Sequence, residues 1–331
     1  MRAKSSVLRH PSGVNISTPI LVPSFSSKGF GFEENGISEI TGIIETASEW
    51  LTETALFSAY DYHHKYIPLD FYSNVELCFV DSGGYEMNND YDLSTVYATE
   101  SSNLEWSEKL LVEVYNSLSP DGVFVLVNYD LTGKPIINQI ESAFKLLSPY
   151  SDSLHTVLLK REHKNQRYID IQSVLRYANE LGQFDIVGLT EKELGKSLLD
   201  RMYAIARLRE ELDKCGVNSP IHIFGSLDPI TTVLYFLAGA EIFDGLTWLR
   251  YAYLNGTAVY PHNYGAMQVG IHQRDDYIRA KSFVDNINYL QDLTFQMQSY
   301  LLDGGFTKFK YHSAFFRESY HILCSQLEGL R

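Results

Sequence analysis

The sequence predicts an α/β fold, a TIM-type (β/α)8 barrel with insertions and C-terminal helices. Three observations predict it. Short apolar runs recur along the chain, and several stop at a carboxylate or a glycine. Helical patterns separate them, so strand and helix alternate at about 25–35 residues, the signature of βα units in a parallel sheet. The runs approach eight in number within 331 residues, enough for a barrel of ~250 residues with embellishments. An open doubly wound sheet is the alternative, and the lack of GxGxxG after the first strand weakens its dinucleotide-binding version.

Residues 1–17 read as a loop or short hairpin leading to Thr18-Pro19. Residues 20–22 form the first strand, and 23–32, PSFSSKGFGF, a Gly/Ser-rich loop. Ser38 stands where an N-cap belongs, with Ile40, Ile43 and Ile44 at helical spacing behind it. Residues 56–60 are the second strand. The third, 75–80, runs into Asp81-Ser82-Gly83-Gly84-Tyr85, and the polar stretch 88–102 is expected as a loop over the mouth of a site. An amphipathic helix, 104–118, leads to a fourth strand, 123–127, that runs out to Asp130. Helix 136–147, strand 154–159, helix 169–181, strand 184–188, helix 194–215 and strand 221–224, ending at Gly225, continue the alternation. Helix 231–237 precedes strand 241–243, which ends at Asp244. Residues 1–331 thus read as one domain: a catalytic core at 18–245, then insertions and C-terminal helices at 246–331, including 276–302 and 314–327.

Hydrophobic content of 45% and charged content of 21% exclude a disordered chain. Net charge is −14, from 27 Lys and Arg against 41 Asp and Glu, which disfavours a protein that coats nucleic acid with its whole surface. A local basic groove remains compatible. Cys78, Cys215 and Cys324 form no CxxC pair, so neither a disulfide framework nor a zinc spacing is expected, and a reducing cytoplasm fits. The N-terminus lacks the apolar stretch of a signal peptide. The most apolar long segment, 231–243, is interrupted by Glu241 and falls short of the ~20 residues that span a bilayer. A cytoplasmic protein without a membrane partner is therefore expected.

Asp81, Asp130 and Asp244 each stand where an apolar strand ends, and barrel topology brings strand ends to one face. Two nearby carboxylates suit glycosidic chemistry: one attacks the anomeric carbon, the other moves protons to and from the leaving group. A third can read a donor-rich edge such as N1–H and the amino group of guanine, because an ionised carboxylate only accepts hydrogen bonds.

These residues resemble the tRNA-guanine transglycosylases. The matching pieces are Thr18-Pro19, the DSGGY segment Asp81 to Tyr85, Asp130, Gly188-Leu189 with Glu193 beyond, Gly225 in HIFG, and AGAEIFD ending at Asp244, then Arg250. They follow the family's order with similar spacing, and DSGGY and AGAEIFD are the most specific. The resemblance implies an enzyme, a glycosyltransferase of the pentosyltransferase class, that exchanges guanine in a nucleic acid for a 7-deazaguanine base. It makes Asp244 the nucleophile, Asp81 the general acid and base, and Asp130 the reader of the base edge, with Ser82 also among the substrate-binding residues. Tyr85 and Phe224 would sandwich the base, the backbone at Gly188 and Leu189 would face the 7-substituent with Glu193 behind it, Gly225 would also bind the substrate, and Arg250 would contact a phosphate or ribose.

Two departures qualify the resemblance. The family's zinc motif, CxCxxC with a later His, has no counterpart in residues 288–302, where Leu290 and Leu293 stand at thiolate positions; only His312 remains. No zinc and no other cofactor is expected, with an apolar contact instead. The polar side chain usual after the LHTVLL strand is also replaced, by Lys160, Arg161, His163, Lys164 and Arg167. These read either as a solvated loop or as a phosphate-binding rim. The polymer is tRNA or, as in divergent relatives, DNA. A base or nucleoside hydrolase on a small substrate, and a non-catalytic partner of an active homologue, stay open as alternatives, as do a homodimer and a heteromeric pairing.

Overall fold

The computed structural model describes residues 1–32, 37–51, 53–87 and 104–329. The chain opens with an antiparallel hairpin, β1 (Val7–Arg9) and β2 (Asn15–Ser17). Eight parallel strands follow: β3 (Ile20–Phe25), β4 (Thr54–Ser58), β5 (Leu77–Asp81), β6 (Phe124–Val127), β7 (Leu154–Leu159), β8 (Ile186–Thr190), β9 (Ile221–Phe224) and β10 (Ile242–Gly245). Each pairs with the next, and β10 pairs back with β3, so the sheet closes into a (β/α)8 barrel. A second hairpin, β11 (Ala252–Leu254) and β12 (Thr257–Val259), and the helices Asp275–Asp303 and Ser313–Glu328 complete the chain. The polar stretch 88–102 lies outside the described residues.

Strand periodicity divides the core in two. Val22, Leu56, Phe79, Val127, Leu158 and Ile242 belong to the cluster on the barrel axis. Their sequence neighbours, such as Leu21, Phe57, Val80, Leu126, Leu159 and Phe243, pack between sheet and helices. This alternation follows from the pleat, which sends successive side chains to opposite faces.

Several boundaries differ from the sequence expectation. Pro23, Ser24 and Phe25, expected in a loop, extend β3 and pair onward with β4 and β10. The second strand ends at Ser58 rather than residue 60, because Ala59–His63 is already helical. The expected helix 169–181 is interrupted: an α-helical turn, Ile171–Leu175, is capped by Asp170, and a 3-10 turn, Glu180–Gln183, follows. Strand β8 starts later and runs past Gly188 to Thr190. Gly188 is interior to the strand, paired with Leu158 and His222, and the Phe224 ring lies 2.7 Å from where a Cβ would be, which favours glycine there. Ser38 caps Glu39–Ala47 as expected, accepting from the Ile40 N–H.

The base of the barrel joins its first and last strands. Glu241, fully buried before β10, accepts a hydrogen bond from the Thr18 hydroxyl at 2.6 Å. The Thr18 hydroxyl oxygen in turn accepts the Ser6 N–H at 2.7 Å. The Arg209 guanidinium stands 3.8 Å from the other Glu241 oxygen and donates to the carbonyls of Val217 and Ser219. Thr18 and the glutamate of AGAEIFD are therefore partners in a structural joint at the end opposite Asp244. Thr18→Val should lower the unfolding free energy by about 1–3 kcal/mol, since it removes a hydrogen-bond donor from a buried carboxyl group. Urea denaturation measures it, and a change smaller than about 0.5 kcal/mol, the range of an ordinary surface substitution, would remove this role.

Candidate active site

A cavity of about 360 Å³ opens at the C-terminal end of the barrel, within the range of ligand pockets. Strand ends and the segments just after them form its wall. Ser24, Ser58, Asp81, Lys160, Thr190 and Asp244 each lie two residues beyond an axis-facing position, Val22, Leu56, Phe79, Leu158, Gly188 and Ile242. Strand parity alone therefore turns them inward, above the apolar plug. Asp130, Phe224 and Gly225 complete the wall.

Asp244 is held by three donors. Ser24 Oγ donates to Oδ2 at 2.8 Å, across the β3–β10 junction. The Gly225 N–H donates to Oδ1 at 3.2 Å, from a backbone at φ +80° that glycine adopts freely. His222 Nε2 lies 3.0 Å from Oδ1, so the ring carries its proton on that nitrogen. His222 is itself locked, stacked on Phe224 at 3.8 Å and edge-on to Phe79 at 5.5 Å. A carboxylate offers about four lone-pair sites. Three are taken here, and the remaining one is on Oδ2.

Asp81 is the last residue of β5. Burial, then the charges of Asp130, Glu86 and Asp244, push its carboxyl well above the usual carboxylate range, with Lys160 opposing. Asp130 reaches the cavity from the segment after β6. It accepts from Lys160 Nζ at 3.0 Å and from Ser82 Oγ at 3.2 Å. Gly84 is needed for this approach, because a Cβ there would collide with the Asp130 carboxylate, and Gly83 turns the chain at φ +80° beneath Trp106. The strand ends below are fixed by side chains. The Tyr115 hydroxyl donates to the Val127 carbonyl at 2.5 Å and stands 3.3 Å from that of Val80. Asn128 and Gln139 clasp the β7 backbone through Leu158 and Lys160.

Tyr85 lines the cavity beside two cations. Arg250 donates to the Tyr85 hydroxyl at 3.0 Å and to the Lys28 carbonyl at 3.1 Å, while Lys28 Nζ bonds the Tyr85 carbonyl at 2.7 Å and sits 4.4 Å from its ring. Arg250 follows β10 on a segment secured by Asn286, whose amide donates to the carbonyls of Trp248 and Tyr251.

The residues expected from sequence divide accordingly. Asp81, Asp130, Asp244, Tyr85, Phe224, Gly225, Arg250 and Lys160 line one cavity. Ser82, Gly188, Leu189 and Glu193 stand behind it. Ser82 orients Asp130, Gly188 seats Phe224, the Leu189 side chain packs outward among the helices, and Glu193 accepts from the Arg161 N–H at 3.4 Å. The expectation of a basic rim needs correction at Lys160. This side chain is buried and bonded to Asp130 and Thr190 (2.9 Å), because parity turns it down the barrel axis. Arg161, Lys164 and Arg167 are not among the residues lining the cavity.

Sequence reasoning missed several members. Glu86 accepts from Ser26 at 2.5 Å and Ser58 at 2.8 Å, and Ser24, His222 and Thr190 hold the residues above. Counting inward positions back from the expected strand ends finds Ser58 and His222; Ser24 and Thr190 lie two residues beyond the expected ends of their strands. Deeper in, Asp61 takes the Ser27 N–H and hydroxyl, and burial with the nearby Glu86 charge raises its pKa strongly.

At the position of the absent zinc motif, Leu290 and Leu293 are buried in the main core, and His312 Nε2 lies 3.2 Å from the Asn255 carbonyl. Among the described residues, no group of three or more His, Cys, Asp or Glu side chains could hold a metal ion, and no helix is long and apolar enough to cross a membrane. Comparison with protein-family models and with curated proteins finds no match to this chain.

A raised carboxyl pKa has a defined sign for stability. The Asp81 contribution is fully present below the unfolded value near 4 and is lost as pH rises through its higher folded value. Asp81→Asn should therefore melt close to wild type near pH 3.5 and at a higher temperature near pH 7.5, by at least about 2 °C. Thermal melts at the two pH values check this; equal differences at both would show that Asp81 carries no such burden.

Proposed function

We propose that this chain is a transglycosylase that replaces guanine in a nucleic acid by a 7-deazaguanine base through a covalent link between Asp244 and ribose. The observation that carries this reading is the pairing of two unlike carboxyl groups in one cavity. Asp244 is fixed by Ser24, His222 and Gly225 with one lone pair left on Oδ2, and Asp81 is biased toward its protonated form. A nucleophile and a proton donor are the two roles that displacement at an anomeric carbon requires.

In this reading Oδ2 of Asp244 attacks C1′ of the nucleotide. The C1′–N9 bond breaks, and protonated Asp81 supplies the proton that lets the base leave neutral. The incoming base then gives its N9 proton to the Asp81 carboxylate. Its N9 attacks C1′, the C1′–Oδ2 ester bond breaks, and Asp244 is regenerated. The base would stack between Tyr85 and Phe224, with its donor edge toward Asp130. Arg250, anchored on Tyr85 at the cavity wall, is suited to a phosphate or ribose contact.

Incubation with radiolabelled guanine and either tRNA or duplex DNA tests the proposal. Wild type should place label in one of the two polymers, and Asp244→Asn should place none and trap no covalent adduct. Label in neither polymer, or undiminished labelling by Asp244→Asn, ends the reading; base release from a free nucleoside would instead identify a hydrolase. The rate of the step that needs protonated Asp81 should fall as pH rises through the raised pKa of that group. Asp81→Asn should cost about 10²–10⁴-fold and remove that limb of the pH profile.

A further inference from the structure

The basic segment beyond Lys160 has no part in the cavity. Arg161, Lys164 and Arg167 follow β7, and Lys134 follows β6, the strand beside it. The two loops are fastened together. The Gly133 N–H donates to the Arg161 carbonyl at 2.9 Å, and the Ile136 N–H to Glu162 Oε1 at 3.1 Å. Lys164 packs against Gly133, where a Cβ would stand 3.0 Å from its Cγ. The β7 loop is also tied to the segment after β8: the Ile169 N–H donates to the Glu193 carbonyl at 2.8 Å, and the Arg161 N–H to the Glu193 carboxylate at 3.4 Å.

These bonds sort the charges. The carboxylates of the frame are turned to backbone N–H groups, Glu162 to Ile136, Glu193 to Arg161 and Asp170 to Gln172. The cations are left over. Among the described residues, Lys134, Arg161, Lys164 and Arg167 form no ion pair, and the buried Arg161 Nε has no hydrogen-bond partner. Lys134, Lys164 and Arg167 are exposed. In a chain of net charge −14, where carboxylates are in excess, such a group of cations on a fixed frame is set up for an anion from outside. Barrel order then places it. In the ring of eight, β6 and β7 stand opposite β10 and β3, so the cations face Arg250 across the mouth. Between the two rims lie Asp81, Glu86, Asp130 and Asp244. Phosphate is drawn to either rim and repelled from the interior, while a neutral group is free to enter. A polynucleotide has that division, with its charge on the backbone and its bases neutral.

We propose that Lys134, Arg161, Lys164 and Arg167 form a phosphate-binding ridge, which holds the backbone of a polynucleotide across the mouth of the barrel while one of its bases enters the cavity. This rests on the reading that the substrate is a nucleic acid. The ridge positions the polymer and reads no sequence. Each phosphate it neutralises releases counterions, so binding through it weakens as salt rises.

Fluorescence anisotropy of the whole protein with end-labelled tRNA and duplex DNA, titrated from low to physiological salt, tests it. Wild type should bind at least one polymer, with log Kd rising linearly with log salt. The triple variant Lys134→Gln, Lys164→Gln and Arg167→Gln should weaken that binding by about tenfold or more at physiological salt and lower the slope by about 2–3. A control triple, Lys145→Gln, Arg279→Gln and Lys310→Gln, removes three exposed cations outside the ridge and the cavity. It changes net charge equally and should lose far less affinity. Circular dichroism melts confirm that each variant folds. Equal losses in the two triples, an unchanged slope in the ridge triple, or binding of neither polymer by wild type overturns the ridge. Ridge-dependent binding with no label entering either polymer would uphold it while ending the base-exchange reading. Label transfer by a ridge triple of unchanged affinity would end the ridge alone.

Discussion

Closing eight parallel strands into a barrel fixes which side chains can meet. Every second residue of each strand must point at one axis, and the last such residue of each strand must stand at the rim of the same opening. Apolar side chains fill the lower levels, so any polar residue at the terminal inward level is delivered to a shared cavity. Ser24, Ser58, Asp81, Lys160, Thr190 and Asp244 occupy that level by counting alone. Side-chain clasps from outside the barrel then set the fine geometry: Tyr115 beneath Asp81, and Asn128 and Gln139 around the ends of β6 and β7.

The same closure concentrates negative charge. Asp81, Glu86, Asp130 and Asp244 all line the cavity, and each is compensated differently. Asp244 is surrounded by donors, Asp130 has an ammonium, and Glu86 has two hydroxyl groups. Asp81 has the least compensation, and burial first, then the neighbouring carboxylates, raise its pKa. The division of labour proposed for Asp81 and Asp244 is thus a consequence of which inward neighbours each received: Ser24, His222 and Gly225 for one, and other carboxylates for the other.

Much of this was legible in the residues. The barrel followed from apolar runs that end in carboxylates, and all eight strands lie within a few residues of the predicted positions. The three aspartates, with Tyr85 and Phe224, were found because each stands at a strand end or just after a sharp turn. What was missed has a common cause. Lys160 reads as the first of a string of basic residues, and only the inward parity of β7 separates it from Arg161, Lys164 and Arg167. Gly188 reads as a strand terminator, but it pairs with strands on both sides, and the Phe224 ring, distant in the chain, takes the place of its side chain. His222 reads as an ordinary strand residue and Ser24 as part of a loop, because their partner, Asp244, is brought close by closure and not by sequence. Glu241 belongs to the most specific segment of the resemblance, yet it acts at the opposite end of the barrel with Thr18.

The hydrogen bond from Ser24 to Asp244 crosses the junction where the first barrel strand meets the last, 220 residues apart in the chain. An open sheet with every other pairing intact would keep the His222 and Gly225 donors on Oδ1 and lose the one on Oδ2. The carboxylate would then be held at Oδ1 alone, with Oδ2 no longer fixed. Completion of the ring and fixing of Oδ2 are therefore the same structural event, and a barrel that breathes at this seam loosens Asp244 before it loses its core.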